Sequence, residues 1–202
     1  MRRSGVTDSG TNTGPGWAFV AFALVVMGVL QLFDFDVLRY QQSWLSRGEY
    51  WRIFSAHWVH VNWPHLMLNA FGLLLCMGIT SPRWAIRRWI FYHLFLALGI
   101  SVLFTLLNPE LEWYAGYSGV LYGIFVLAAL DLYQRDKLIA LALAIGLSTK
   151  IILEQVGGFN ISSSKFIGTL VVVDAHLYGA LLALSIALGE RIYTILGNSD
   201  SD

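Results

Sequence analysis

Six apolar runs separated by shorter polar stretches set the pattern of this chain: Trp17–Phe33, Pro64–Thr80, Trp89–Leu107, Tyr117–Tyr133, Leu138–Leu153 and Val171–Arg191. Crossing the hydrocarbon core of a bilayer takes roughly 20 apolar residues, with a range of about 17–25. The runs predict an all-α, polytopic membrane protein, a bundle of six transmembrane helices. No internal repeat and no separate soluble domain interrupts them. The expected organisation is a polar tail over 1–16, a membrane domain over 17–193 and a short polar tail over 194–202. No small-residue cleavage site follows the first run, which reads as a retained signal anchor and not as a removed signal peptide.

Composition supports the same class. Of 202 residues, 56% are hydrophobic and 13% charged, against about a quarter charged in a typical soluble domain. The net charge of zero gives no footprint for nucleic acid. Cys76 is the only cysteine, so no intramolecular disulfide is possible.

Basic residues orient the bundle, because cytoplasmic loops are enriched in Lys and Arg. One set of helix ends holds eight: Arg2, Arg3, Arg83, Arg87, Arg88, Arg135, Lys137 and Arg191. The other holds four: Arg39, Arg47, Arg52 and Lys165. Both termini are therefore expected in the cytoplasm. The opposite side carries Tyr40, Trp44, Tyr50, Trp51, Trp58, Trp63 and Trp113, rings suited to the headgroup zone. The Asp34–Trp63 connection is expected to fold into that outer interface.

This topology brings polar residues to one level. The second, fourth and sixth helices all start on the outer side, with His65 in the first turn of the second. Ser118 sits at the mouth of the fourth and His176 about a turn into the sixth. In WYAGYSGVLYGIF, Ser118 has two readings. It is a small packing residue, as serine often is between membrane helices, or it is a nucleophile, which needs a base and donors for the oxyanion. Gly116 and Gly119 remove bulk beside it. Gly119 with Gly123, and Gly179 with Ala183, form small-xxx-small pairs that let helices pack closely. A Ser118–His176 hydrogen bond would need that closeness. Tyr122 lies one turn below Ser118 and can stack on His176. Asp174 is two residues from His176, and such residues do not share a helix face. A dyad is therefore favoured over a triad, with Asp174 at the helix start.

His65 and Asn69 are four apart on one face and both can donate hydrogen bonds, which suits an oxyanion hole. The alternative for Asn69 is a bridge between helices. His57, His60 and His65 raise the question of a metal, but no HExxH pattern accompanies them and His60 and His65 are badly phased for one face. No metal and no cofactor is expected. His93 reads as a packing residue. Lys150 and Glu154, four apart near the outer end of the fifth helix, are candidates for a substrate gate or for a helix-end ion pair.

Taken in order, Trp51-Arg52, His60, His65, Asn69, Gly116-Tyr117-Ser118-Gly119 and Ala175-His176 with Gly179 resemble the signatures of the rhomboid intramembrane serine proteases over about residues 50–185. The resemblance implies that Ser118 attacks, that His176 is the base, and that His65, Asn69 and the Ser118 amide form the oxyanion hole. It implies that Tyr122 supports the histidine and that Arg52 and His60 stabilise the first loop and the second helix. Where the family often has a further histidine, four residues before the His60 position, this chain has Ala56, with His57 next. SAHWVHVNWPHLMLN and VVVDAHLYGAL are most similar to the rhombosortase branch. That likeness implies membrane-anchored protein substrates with a C-terminal GlyGly, a transmembrane segment and a basic tail. The expected setting is a bacterial inner membrane, with the active site facing the periplasm.

Two rival functions stand beside this one. A catalytically inactive rhomboid-like protein would bind transmembrane segments without cutting them. A small histidine-containing transporter would carry polar residues along the whole crossing, whereas here they cluster at one depth.

Overall fold

The computed structural model describes residues 14–80, 84–157, 168 and 171–199. Most of the N-terminal tail, the last three residues, and Arg2, Arg3, Arg83 and Lys165 of the orientation argument lie outside the described residues. Among the described residues six longer helices make the bundle: α1 (Gly14–Leu30), α5 (Trp63–Thr80), α6 (Ile86–Leu107), α7 (Ser118–Leu132), α8 (Lys137–Gln155) and α9 (Asp174–Ser199). Between α1 and α5 lie three single-turn helices, α2 (Phe35–Leu38), α3 (Trp44–Arg47) and α4 (Arg52–Ser55). α5, α6, α8 and α9 are long and apolar enough to cross a membrane, while α1 and α7 are apolar but shorter. The protein is an all-α integral membrane bundle.

The shortness of α7 follows from its place. Its 15 residues span about 22 Å at 1.5 Å per residue, less than the roughly 30 Å hydrocarbon core. Ten of its residues are buried, packed against α5, α6, α8 and α9, so it has little lipid to match. The outer helices turn Phe22, Met67, Phe71, Leu94, Leu138 and Leu184 outward, where acyl chains replace water. The last helix runs to Ser199, so the expected polar tail from 194 is helical for most of its length. The first helix begins at Gly14 and ends at Leu30, three residues earlier at each end than its hydrophobic run; Asp34 then caps α2 by accepting from the Asp36 amide at 2.9 Å.

Close approach of α7 and α9 depends on glycine. A Cβ on Gly179 would stand 2.0 Å from the Gly119 carbonyl oxygen, and one on Gly123 2.8 Å from the Gly179 carbonyl oxygen. The two backbones are in direct contact, as the small-xxx-small pattern predicts.

The connection from α1 to α5 is folded and tied down. Arg52 is buried and donates from Nη1 to the carbonyls of Asp36 and Arg39, both at 2.8 Å, and from Nε to Glu49 at 2.7 Å. A buried guanidinium is tolerable only with its donors so engaged. Among the described residues one feature departs from the all-helical pattern: Tyr40–Gln41 (β1) pairs antiparallel with Trp113–Tyr114 (β2). The Gly116 amide donates to the Ala56 carbonyl at 2.9 Å. The segment that delivers Ser118 is thus held by the first loop at two points.

His57 explains how this loop meets α6. Ser101 has one hydroxyl proton, directed to the Ile53 carbonyl at 2.9 Å. Its oxygen therefore accepts from His57 Nε2 at 3.0 Å, which fixes His57 as the neutral Nε2–H tautomer. Burial lowers the pKa of His57 to about 3, and burial with the neighbouring His65 lowers that of His60 to about 3. Below the ordinary value near 6.5 the unfolded chain binds protons that the folded one refuses, so stability falls as pH falls. The loss accrues down to about 3, at up to about 1.4 kcal/mol per pH unit for each group. Thermal melting in detergent should show a midpoint that drops between about pH 6.5 and 4.5; a level or rising midpoint contradicts this.

Candidate active site

Ser118 is the first residue of α7, and no side chain caps that helix. Its first-turn amides therefore lack intrahelical acceptors and its positive end lies beside the hydroxyl. The loop before it is set by Gly116, whose φ of +135° is open to glycine. A Cβ there would also stand 2.7 Å from His65 Cε1. The Tyr114 hydroxyl donates to the Gly116 carbonyl at 2.6 Å and fixes the turn.

His176 lies in the first turn of α9, nearer the helix start than its hydrophobic run suggests, because the helix begins at Asp174 and not at Val171. Its Nε2 is 2.9 Å from Ser118 Oγ. The ring is stacked on Tyr122, with centroids 4.1 Å apart and planes 5° from parallel. Asp174 accepts from Asn108 Nδ2 at 2.8 Å, and Asn108 Oδ1 accepts from Tyr178 at 2.6 Å. Asp174 stands at the helix start with its carboxylate on Asn108.

From α5 come His65 and Asn69. Asn62 caps this helix, accepting from the His65 amide at 3.0 Å, with Pro64 in the first turn, where its missing N–H costs nothing. Asn69 donates one amide hydrogen to the His65 carbonyl at 3.1 Å; the group carries two. The ring of His60 lies edge-on to that of His65, centroids 5.0 Å apart. His93 is buried, stacked on Tyr117 and hydrogen-bonded to Tyr117 and the Trp89 carbonyl, as a packing residue should be.

His65, Asn69, Ser118, Tyr122, Lys150 and His176 line one cavity of about 220 Å³, room for several waters at about 30 Å³ each. His65, Ser118 and His176, from three different helices, thus meet at one cavity. Gly119 and Gly179 lie behind them at the α7–α9 contact. Lys150 faces the cavity from α8, across from α5. Glu154, expected with Lys150 at a substrate gate or in a helix-end ion pair, is paired with Lys150 through Oε1 and also lies behind the imidazole, with Oε2 2.8 Å from His176 Nδ1. Sequence reasoning looked for a third member at Asp174 and missed this contact. The available signal was a lone carboxylate in an apolar helix at the level of His176.

A largely apolar cavity that brings together a hydroxyl, an imidazole and an amide donor inside a bundle of apolar helices defines a class: integral membrane proteins with a polar site within the membrane domain. The chain belongs to the rhomboid family of intramembrane proteases, since the family model described as Rhomboid domain matches residues 47–191, well over half of its length. Every residue discussed around the cavity falls within that match, and α1 precedes it. A search of curated proteins found no match.

Proposed function

We propose that the protein is a serine endopeptidase that cleaves membrane-anchored proteins, with Ser118 as nucleophile and His176 as general base. The observation that carries this is the 2.9 Å contact between Ser118 Oγ and His176 Nε2 inside the cavity. His176 takes the hydroxyl proton as Oγ bonds to the scissile carbonyl carbon, and the tetrahedral oxyanion meets the Ser118 amide, Asn69 and His65. As the C–N bond breaks, His176 gives that proton to the leaving amine. Water then enters through the cavity and loses a proton to His176 as it attacks the acyl carbon, and His176 returns that proton to Ser118 Oγ as the acyl–oxygen bond breaks and the acid leaves. The stacked Tyr122 ring holds the imidazole plane throughout. A hydrogen-bonded Ser–His pair favours this reading over an inactive binder.

The proposal extends to setting and substrate. Both termini lie in the cytoplasm of a bacterium, and the cavity opens toward the periplasmic face of the inner membrane. The rhombosortase-like motifs favour substrates with a C-terminal GlyGly, an apolar helix and a basic tail. Gly-Gly suits the chemistry, because a helical peptide bond is shielded and must unwind before attack. Lys150 lines the cavity on the side facing α5, where an entering segment would pass.

Proteoliposomes containing the purified chain and a reporter with such a tail test the reading. Cleavage beside Gly-Gly, near the outer end of the reporter helix, is expected, with a much slower reaction when the pair is replaced by Leu-Leu. Equal rates on both reporters would remove the GlyGly specificity and leave the protease; no cleavage of any membrane-anchored reporter by folded protein would remove the protease.

A further inference from the structure

The described part of α8 is turned mostly outward, and of its 19 residues the buried ones are Ala140 and Glu154. A carboxylate placed inward from a peripheral membrane helix is costly unless it is paired and hydrogen-bonded, and it marks function by default. Here both oxygens are engaged, Oε2 by His176 Nδ1 at 2.8 Å and Oε1 by Lys150 Nζ. The Glu154 side chain is 2% exposed and that of His176 5%.

From this geometry we infer that Glu154 is a positioning residue of the reaction, so that the site works as a Ser118–His176–Glu154 triad with Lys150 holding the carboxylate. The inference rests on the protease reading above. Its logic is that of proton inventory. To accept the Ser118 hydrogen, Nε2 of a neutral imidazole must be bare, so the ring proton must sit on Nδ1. An ionised carboxylate can only accept, and at 2.8 Å it selects that tautomer. Asp174 is engaged with Asn108 and is not available for the task.

The same carboxylate acts as charge develops. In the resting site, Lys150 and Glu154 balance each other beside a neutral imidazole. When Ser118 Oγ attacks, its proton moves to His176 Nε2, an imidazolium forms against Glu154 and an oxyanion forms on the substrate. Glu154 gains no proton at any stage. Lys150 keeps the carboxylate ionised and turned, four residues earlier on the same face of α8.

Glu154→Gln separates this role from packing, because the side chain keeps its shape. Lys150 still faces one arm of the amide and can only donate, so it turns the amide oxygen toward itself and the NH2 toward His176. The ring is then forced into the Nε2–H tautomer, which cannot accept from Ser118. With a fluorophosphonate probe, the maximal labelling rate of Glu154→Gln should fall by about 10²–10⁴-fold. The probe concentration giving half that rate should change little, and Asp174→Asn should label like the wild type. Nitrogen-15 spectra of histidine-labelled protein, assigned by difference against His176→Gln, should show Nδ1–H at His176 in the wild type and Nε2–H in Glu154→Gln. If Glu154→Gln alone does not fold, the paired Lys150→Met/Glu154→Leu variant, which leaves no unpaired charge and no acceptor for Nδ1–H, carries the same labelling test. A wild type that labels at Ser118 beside an equally fast Gln variant, or an unchanged tautomer, overturns the triad alone. A folded wild type that takes no label overturns the protease reading and the triad with it.

Discussion

Ser118→Ala and His176→Ala should each slow cleavage of a membrane-anchored reporter by on the order of 10⁴–10⁶-fold, since a nucleophile and its base act as one unit. The double variant should be no slower than either single one, because once the unit is broken the second deletion removes nothing further. Folding should separate the two. Ser118→Ala deletes one oxygen and leaves the His176–Glu154 contact at 2.8 Å and the Tyr122 stack in place. Its melting midpoint should stay within a few degrees of wild type, as expected for a change below about 1 kcal/mol. His176→Ala leaves Glu154 buried against Lys150 alone and opens a gap beside Tyr122, so its midpoint should fall further. Rates and melting curves on the same preparations check this. A Ser118→Ala variant keeping more than about 1% of the wild-type rate cannot be reconciled with nucleophilic catalysis by that hydroxyl.

The second large effect is on the packing that brings these groups together. Gly179→Ala places a methyl 2.0 Å from the Gly119 carbonyl oxygen, well inside van der Waals contact. Overpacking a core with movable side chains costs about 1–3 kcal/mol, and here the obstacle is backbone on a central helix, so the expected cost is at or above the top of that range. Relief requires α9 to move away from α7, which carries His176 away from Ser118. Both stability and labelling should therefore collapse together. Gly189→Ala is the control on the same helix, where an added Cβ meets nothing within 4 Å; it should be neutral or stabilising by about 0.5–1 kcal/mol. If the two variants melt alike, the close α7–α9 contact is not what holds the site.

Much of this was legible in the chain. Hydrophobic run lengths gave the six helices of the bundle, because lipid rewards long apolar segments whatever their neighbours. Glycine spacing announced the α7–α9 contact, because close approach of backbones leaves no alternative residue. The meeting of His65, Ser118 and His176 at one cavity was expected from counting which helices start on the same side. Glu154 escaped for a physical reason. An apolar helix in lipid carries no sharp polar face, so the sequence does not say which way α8 is turned about its axis. Without that rotation, a carboxylate 22 residues from His176 in the chain cannot be aimed at it. The β1–β2 pairing escaped too, since two-residue strands are too short to show alternation. The brevity of α7 became clear only once its neighbours were in place around it.

The central claim is that Ser118 is a nucleophile activated by His176, and covalent capture tests it most directly. Purified wild-type protein, shown to be folded by its melting curve, is incubated with a fluorophosphonate, digested and mapped by mass spectrometry beside Ser118→Ala and His176→Ala. The account predicts a single phosphonyl adduct on Ser118 of the wild type and none on either variant. A folded wild type without an adduct, an adduct on another residue, or equal labelling of His176→Ala would contradict it.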